Sequence, residues 1–167
     1  GDLGGARAGG GVGAGLAGGM AVRNGGSVEP PGLRMVPCLI IGDSRAGGVG
    51  QARPECAVVA EVGINSARYL QRLHGTRHAR TVVISLGVND SVDIETEDNL
   101  RRLRHTVSAE AVFWLLPGIH PGARDAVREI AKEFRDRIID VAPMTGADHV
   151  HPGRTGYAKL ASMTRRG

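Results

Sequence analysis

The sequence predicts a three-layer α/β/α domain with a mainly parallel five-stranded sheet, preceded by a glycine-rich arm. Two observations predict this fold class. From Leu33 onward, short apolar runs alternate with longer amphipathic segments. The apolar runs are continuous and do not alternate with polar residues, which is typical of parallel strands covered by helices on both faces. Because such sheets bind ligands at the carboxyl ends of their strands, we expect the functional residues at that edge.

The arm comes first in the chain and consists mostly of glycine and alanine. One interpretation is a flexible linker. The other is a close-packed helix, because Val12, Leu16 and Met20 recur at four-residue spacing between small residues. Glycine costs about 1 kcal/mol per helical position relative to alanine, so this helix would need a partner surface. We therefore divide the chain into residues 1–33 and a domain of residues 34–167, and expect the arm to dock on that domain or on another chain.

The elements of the domain follow from the apolar pattern. Strands are expected at residues 36–41, 57–62, 81–86, 111–116 and 138–141. One helix has its apolar stripe at Ala123, Ala126, Val127, Ile130, Ala131 and Phe134. Shorter helices are marked by Leu70 and Leu73, by Leu100, Leu103 and Val107, and by Tyr157, Leu160 and Ala161. This order of elements is flavodoxin-like, but the chain lacks the phosphate-binding loop pattern of a nucleotide-binding protein.

Composition and charge exclude some classes of partner. Aromatic residues make up 3% of the chain, too few for base-stacking platforms, and the net charge of +4 is not gathered into a dense basic cluster. We therefore expect no nucleic-acid partner. The arm is too short and too weakly apolar for a membrane span. Cys38 and Cys56 each lie near the start of a predicted strand and are expected as buried free thiols, with a disulfide as the alternative if the two strands are neighbours.

Polar turn sequences follow the predicted strands. The first strand ends at Gly42-Asp43-Ser44, the second at Gly63-Ile64-Asn65, and the third at Gly87-Val88-Asn89-Asp90. Beyond the fifth strand, Asp148 and His151 stand three residues apart. Each sequence alone is ordinary turn material. All of them fall at the same edge of one predicted sheet, which points to a shared site.

The residue types in these turns match the requirements of acyl transfer. The hydroxyl of Ser44 needs a base to become a nucleophile, and His151 is a suitable base. The carboxylate of Asp148 can fix the tautomer of that imidazole across a single turn. Backbone N–H groups of Ser44 and Gly63 and the side-chain amide of Asn89 can donate to the oxyanion of a tetrahedral intermediate.

The blocks GDS, G, GxND and DxxHP, in this order, resemble the SGNH (GDSL-type) hydrolases over about residues 35–163. The most specific block is DHVHPGRTGYAKLA. The resemblance implies that Ser44 is the nucleophile, His151 the general base and Asp148 the orienting acid. It also implies oxyanion donors at Ser44, Gly63 and Asn89, and neither a metal nor another cofactor. Members of this family cleave acyl esters or thioesters, including acetyl groups on polysaccharides.

The sequence also leads to expectations for five further residues. Arg45 is expected either to contact an anionic substrate or to be a solvated residue covering the start of a helix. His120 follows the fourth strand and is expected either as a surface residue or at the wall of the substrate pocket. Asp43 and Asp90 are expected to brace their loops by accepting hydrogen bonds from backbone N–H groups. Trp114, within the fourth strand, is expected in the core.

Two hypotheses for function follow. The first is a serine esterase that forms an acyl-enzyme, with a small acylated molecule or an acetylated cell-surface glycan as substrate. The second is a non-catalytic structural or adhesive module of a virion or cell-surface assembly, docked to its partner through residues 1–33. Both hypotheses place the chain outside the cytoplasm or on a virion.

Overall fold

A computed structural model describes residues 20–23, 36–73 and 77–165. Six strands form one sheet in the order β1-β3-β2-β4-β5-β6. The strands are β1 Ala21–Arg23, β2 Val36–Gly42, β3 Ala57–Ala60, β4 Arg77–Ser85, β5 Val107–Leu116 and β6 Arg137–Asp140. The helices are α1 Ser44–Ala52, α2 Ser66–Arg72, α3 Thr96–His105, α4 Pro121–Phe134 and α5 Arg154–Thr164, with a one-turn 3₁₀ helix at Ala142–Met144. Every pairing is parallel except that of β1 with β3.

Alternate residues of the central strands face two separate helical layers. Leu39 and Ile41 of β2 belong to the apolar cluster that also contains residues of α2, α3 and α4. Cys38 and Ile40 of the same strand belong to the cluster with residues of α1 and α5. Because successive side chains of a strand point to opposite faces, the unbroken apolar runs of the sequence supply both layers. The predicted three-layer α/β/α class is confirmed.

The strand order places a topological switch at β2. From β2 the chain passes to β3 on one side, and later to β4 on the other. In open α/β sheets, ligands bind outside the carboxyl ends of the strands at such a switch. The residues that follow Gly42 therefore occupy the position where this architecture places its chemistry.

The sheet contains one strand more than the five predicted, and that strand comes from the glycine-rich arm. β1 pairs with β3, and Met20 packs against the core. The buried guanidinium of Arg23 donates to the carbonyl oxygens of Cys56, Gly50 and Arg53. Residues 20–23 are thus docked on this chain's own domain. Val12 and Leu16, which suggested a helix, lie outside the described residues.

The junction between α3 and β5 differs from the sequence-based expectation. Val107, assigned to the helical pattern of Leu100 and Leu103, is the first residue of β5. The reason is that α3 ends at His105 and the chain enters β5 after a single residue, Thr106. Trp114 is fully buried in the core, as expected.

Cys38 and Cys56 form a disulfide, so the expectation of free thiols is wrong. Leu39 of β2 lies opposite Ala57 of β3, and this register brings the neighbouring cysteines together. The bond is buried in the layer under α1 and α5.

Removing this disulfide is expected to lower the free energy of unfolding by about 3 kcal/mol, because a cross-link restricts the unfolded chain. The two cysteines are 18 residues apart in the sequence. Urea unfolding of the Cys38→Ala/Cys56→Ala variant, beside the parent protein with and without dithiothreitol, measures the effect. The variant should be insensitive to the reductant. Equal midpoints for oxidised and reduced parent protein would contradict the prediction.

Candidate active site

Ser44 is held at the end of β2 by a turn that only glycine permits. Gly42 has φ +134°, and a Cβ placed on it would lie 1.9 Å from the carbonyl oxygen of Ser85. The N–H of Asp43 donates to that same oxygen at 2.9 Å. Asp43 then caps α1, since its Oδ1 accepts from the N–H of Arg45 at 3.0 Å. Ser44 is therefore the first residue of α1, with its half-buried side chain at the carboxyl edge of the sheet.

Asp148 and His151 lie on the loop between β6 and α5. One carboxylate oxygen of Asp148 accepts from the N–H groups of Val150 and His151, each at 2.9 Å. The other, Oδ2, lies 2.6 Å from His151 Nδ1. The hydrogen bond from the backbone of His151, followed by the one from its side chain, holds the pKa of Asp148 well below its usual range. The aspartate therefore stays ionised and organises the loop as well as the imidazole.

The hydroxyl of Ser44 meets the other nitrogen of the same ring. Ser44 Oγ lies 2.7 Å from His151 Nε2. Because the carboxylate of Asp148 can only accept, it selects the tautomer with hydrogen on Nδ1 and leaves Nε2 free to accept from the hydroxyl. The structure thus brings together the three residues that the sequence placed in one site. Their arrangement allows a proton to pass from Ser44 to His151.

Gly63 and Asn89 belong to loops tied to the loop of Ser44. The N–H of Glu61 donates to the carbonyl of Gly42, which joins the end of β3 to the end of β2. Gly63 has φ +76°, and a Cβ on it would meet open space. Asn89 Nδ2 donates to the carbonyl of Ile64 at 3.1 Å, which uses one of its two hydrogens. Both Gly63 and Asn89 are exposed at this edge.

Asp90 fixes the loop of Asn89 against α2. Its carboxylate accepts from the N–H of Ser66 at 2.8 Å, and from the hydroxyls of Ser66 at 2.5 Å and Thr96 at 2.7 Å. The expectation that Asp90 braces a loop through a backbone N–H is confirmed, as it is for Asp43. The carbonyl of Asp90 accepts in turn from His120 Nε2 at 2.7 Å.

His120 combines two structural contacts with a place in a cavity wall. Its Nδ1 accepts from the N–H of Ala123 and caps α4. It also lines a cavity of about 540 Å³ between the loop after β4 and the start of α4. Ser44, Asp148 and His151 are absent from the lining of this cavity. His120 therefore lines a cavity whose wall does not include the three residues of the candidate active site.

Arg45 is fully buried, so both expectations for it are wrong. Its guanidinium points under α1 and donates to the hydroxyl of Ser85 and to the carbonyls of Leu115 and Leu116. It is neither solvated nor placed to contact a substrate. Sequence reasoning missed these contacts because their acceptors lie 40 to 71 residues further along the chain.

Among the described residues, one group of three side chains has donor atoms close enough to hold a metal ion, namely Cys38, Glu55 and Cys56. The two sulfurs are bonded to each other and so offer no thiolate. None of the helices in the described ranges is long and apolar enough to cross a membrane.

The chain matches no protein-family model and no curated protein. Its likeness to known proteins lies in the fold. A member of the lipolytic protein G-D-S-L family from Veillonella parvula DSM 2008 superposes with a TM-score of 0.52 at 14% identity, over 75% of this chain and 94% of that one. A Streptococcus pneumonia protein, named as a platelet activating factor, superposes with a TM-score of 0.55 at 16% identity, over 81% and 85% of the two chains.

The chain therefore has the fold of the G-D-S-L, or SGNH, lipolytic proteins. The resemblance carried by the GDS, GxND and DxxHP blocks is confirmed at this level. Identities of 14% and 16% say nothing further about activity or substrate.

Proposed function

We propose that this protein is a serine esterase that hydrolyses short acyl esters through an acyl-enzyme on Ser44. One observation carries the proposal: a single imidazole, that of His151, bridges the hydroxyl of Ser44 at 2.7 Å and the carboxylate of Asp148 at 2.6 Å. A nucleophile, a base and an orienting acid in hydrogen-bond contact are the parts that acyl transfer requires.

The reaction has two halves. Ser44 Oγ attacks the acyl carbon while its proton passes to His151 Nε2, and the carbonyl electron pair moves onto oxygen. The tetrahedral intermediate collapses, the alcohol leaves with the proton from Nε2, and the acyl group remains as an ester on Ser44. Water then attacks this ester and gives its proton to His151. The second collapse releases the acid and returns the proton to Ser44.

In this proposal, the developing oxyanion accepts hydrogen bonds from three donors. The N–H of Ser44 is the first amide of α1, where no intrahelical acceptor exists, and the helix dipole favours negative charge there. The N–H of Gly63 and the second hydrogen of Asn89 Nδ2 are the other two. A preorganised donor of this kind contributes about 3 kcal/mol of transition-state stabilisation.

The openness of the site supports a short acyl group on a bulky carrier as substrate. The side chains of His151 and Asp148 are 46% and 52% exposed. A long acyl chain would instead need an apolar channel beside the serine. The disulfide supports a location outside the cytoplasm, since such bonds persist in oxidising compartments. O-acetyl groups of a cell-surface polysaccharide meet both conditions.

Labelling with a fluorophosphonate tests the proposal. After reduction and trypsin digestion, the adduct should appear on the peptide of residues 35–45, at Ser44. The Ser108→Ala variant is the control, because Ser108 is an exposed serine at the opposite, amino-terminal end of β5. The control should label at the parent rate. The parent protein should also hydrolyse p-nitrophenyl acetate faster than the octanoate. Absence of any adduct on Ser44 would overturn the proposal. The hypothesis of a non-catalytic module in a larger assembly would then remain.

A further inference from the structure

Both residues that flank Ser44 are buried beneath it and joined through a third. Asp43, Arg45 and Ser85 are each fully buried. Arg45 Nε donates to Ser85 Oγ at 3.0 Å, and Ser85 Oγ donates to Asp43 Oδ1 at 2.8 Å. The side chains of the residues before and after Ser44 are therefore linked to each other by hydrogen bonds through Ser85.

The guanidinium also binds the ends of two strands. Arg45 Nη1 donates to the carbonyl of Leu116 at 3.0 Å, and Nη2 to the carbonyl of Leu115 at 3.1 Å. Its Nε reaches Ser85, the last residue of β4. One planar side chain therefore fixes the first turn of α1 to the carboxyl ends of β4 and β5. A guanidinium suits this task because its donors diverge in a rigid fork.

Stability alone does not account for these contacts. Burial lowers the pKa of Arg45 and raises that of Asp43, which shows that each charged form loses hydration at this position. Even a buried ion pair in direct contact can often be replaced with apolar side chains of similar volume at no cost in stability, and Asp43 and Arg45 are joined through Ser85 Oγ. The directional contacts of Arg45 are therefore better explained by the position that they impose on Ser44.

We propose that Arg45 is a positioning residue, which acts through Ser85 and the strand ends to hold Ser44 Oγ within hydrogen-bond reach of His151 Nε2. This inference rests on the proposed esterase function but concerns a residue that touches neither substrate nor the reacting atoms. Loss of the contacts lets the first turn of α1 shift relative to His151, and a displacement of about 1 Å can cost about 100-fold in rate.

Three variants test the inference. Arg45→Met removes the guanidinium and its three hydrogen bonds. Ser85→Ala removes only the hydroxyl that links Arg45 to Asp43. Arg53→Met is the matched control, because Arg53 is also buried and bonds a carboxylate, a hydroxyl and a carbonyl, but at the other end of α1. We expect kcat for p-nitrophenyl acetate to fall about 10- to 100-fold in Arg45→Met, with KM changed by less than about twofold. Ser85→Ala should also lower kcat, by a smaller factor. Arg53→Met should lower the melting temperature and leave kcat unchanged.

The inference is overturned if kcat stays within about twofold of the parent in both Arg45→Met and Ser85→Ala, or if KM rises alone. An equal loss of kcat in Arg53→Met would also overturn it. Should Arg45→Met fail to fold, Ser85→Ala decides. Crystal structures of the variants give a readout that does not depend on turnover: the separation of Ser44 Oγ from His151 Nε2 should exceed the 2.7 Å of the parent. If the parent hydrolyses no ester, the proposed function fails, and an unchanged separation would still overturn the positioning role.

Discussion

Replacing Ser44 with alanine is expected to lower kcat by about a millionfold, and Asp148→Asn by about ten thousandfold. Ser44→Ala removes the only atom that carries the acyl group. In Asp148→Asn, the side-chain amide can donate to Nδ1 and so favours the tautomer with hydrogen on Nε2, which no longer accepts from the hydroxyl of Ser44. Steady-state hydrolysis of p-nitrophenyl acetate measures both effects, and circular dichroism verifies that each variant folds.

The control for the charge change is Asp98→Asn, because Asp98 is an exposed aspartate on α3. It should leave kcat unchanged. The double variant Ser44→Ala/Asp148→Asn should be no slower than Ser44→Ala alone, since residues that act as one unit are not additive. If the loss of kcat in the double variant equals the product of the two single losses, Ser44 and Asp148 do not act as one catalytic unit.

The carboxylate of Asp148 is expected to stay ionised in moderately acid solution, so its hydrogen bond to His151 should persist there. The lowered pKa of Asp148 keeps the carboxylate ionised below the pH at which ordinary carboxyl groups take up a proton. The pH profile of kcat/KM for p-nitrophenyl acetate measures this. A loss of activity that follows protonation of Asp148 in the usual range of aspartate would contradict the expectation.

The site could be predicted from sequence because parallel strands all present their carboxyl ends at one edge. Ser44, Gly63 and Asn89 each follow a strand, so the correct strand assignment was enough to place them together. Asp148 and His151 needed only local geometry, because a spacing of three residues closes their hydrogen bond within one turn.

The contacts that the sequence did not reveal join segments far apart in the chain. An arginine beside a polar turn is normally solvated. Nothing in the sequence around Arg45 indicates that its guanidinium donates to the carbonyls of Leu115 and Leu116. In the same way, Arg23 binds carbonyls 27 to 33 residues away and turns part of a glycine-rich arm into an edge strand. Hydrophobic periodicity carries no signal for such contacts, because they involve backbone acceptors that every residue possesses.

Replacing Gly42 with alanine is expected to cost more than about 4 kcal/mol of folding free energy, enough to unfold many proteins of this size. The new Cβ would lie 1.9 Å from the carbonyl oxygen of Ser85 and 2.7 Å from its carbonyl carbon. Both atoms are backbone at the end of β4 and cannot rotate away. The φ of +134° adds strain for any residue with a side chain. Urea unfolding of the purified variant, or its failure to accumulate as folded protein, measures the effect.

Alanine variants of two other glycines in this region show whether a loss of stability comes from a steric clash or from glycine replacement in general. A Cβ on Gly47 in α1 would have no neighbouring atom within 4 Å, so Gly47→Ala should stabilise the protein by up to about 1 kcal/mol through helix propensity. A Cβ on Gly48 would meet the ring of Tyr157 at 2.2 Å, and that ring belongs to α5, directly after the loop of His151. Gly48→Ala should therefore displace this ring or move α1 away from α5, and lower the stability of the protein. Equal stabilities for the three variants would contradict the close approach of Gly42 to the end of β4 and of α1 to α5, on which the geometry of Ser44 and His151 depends.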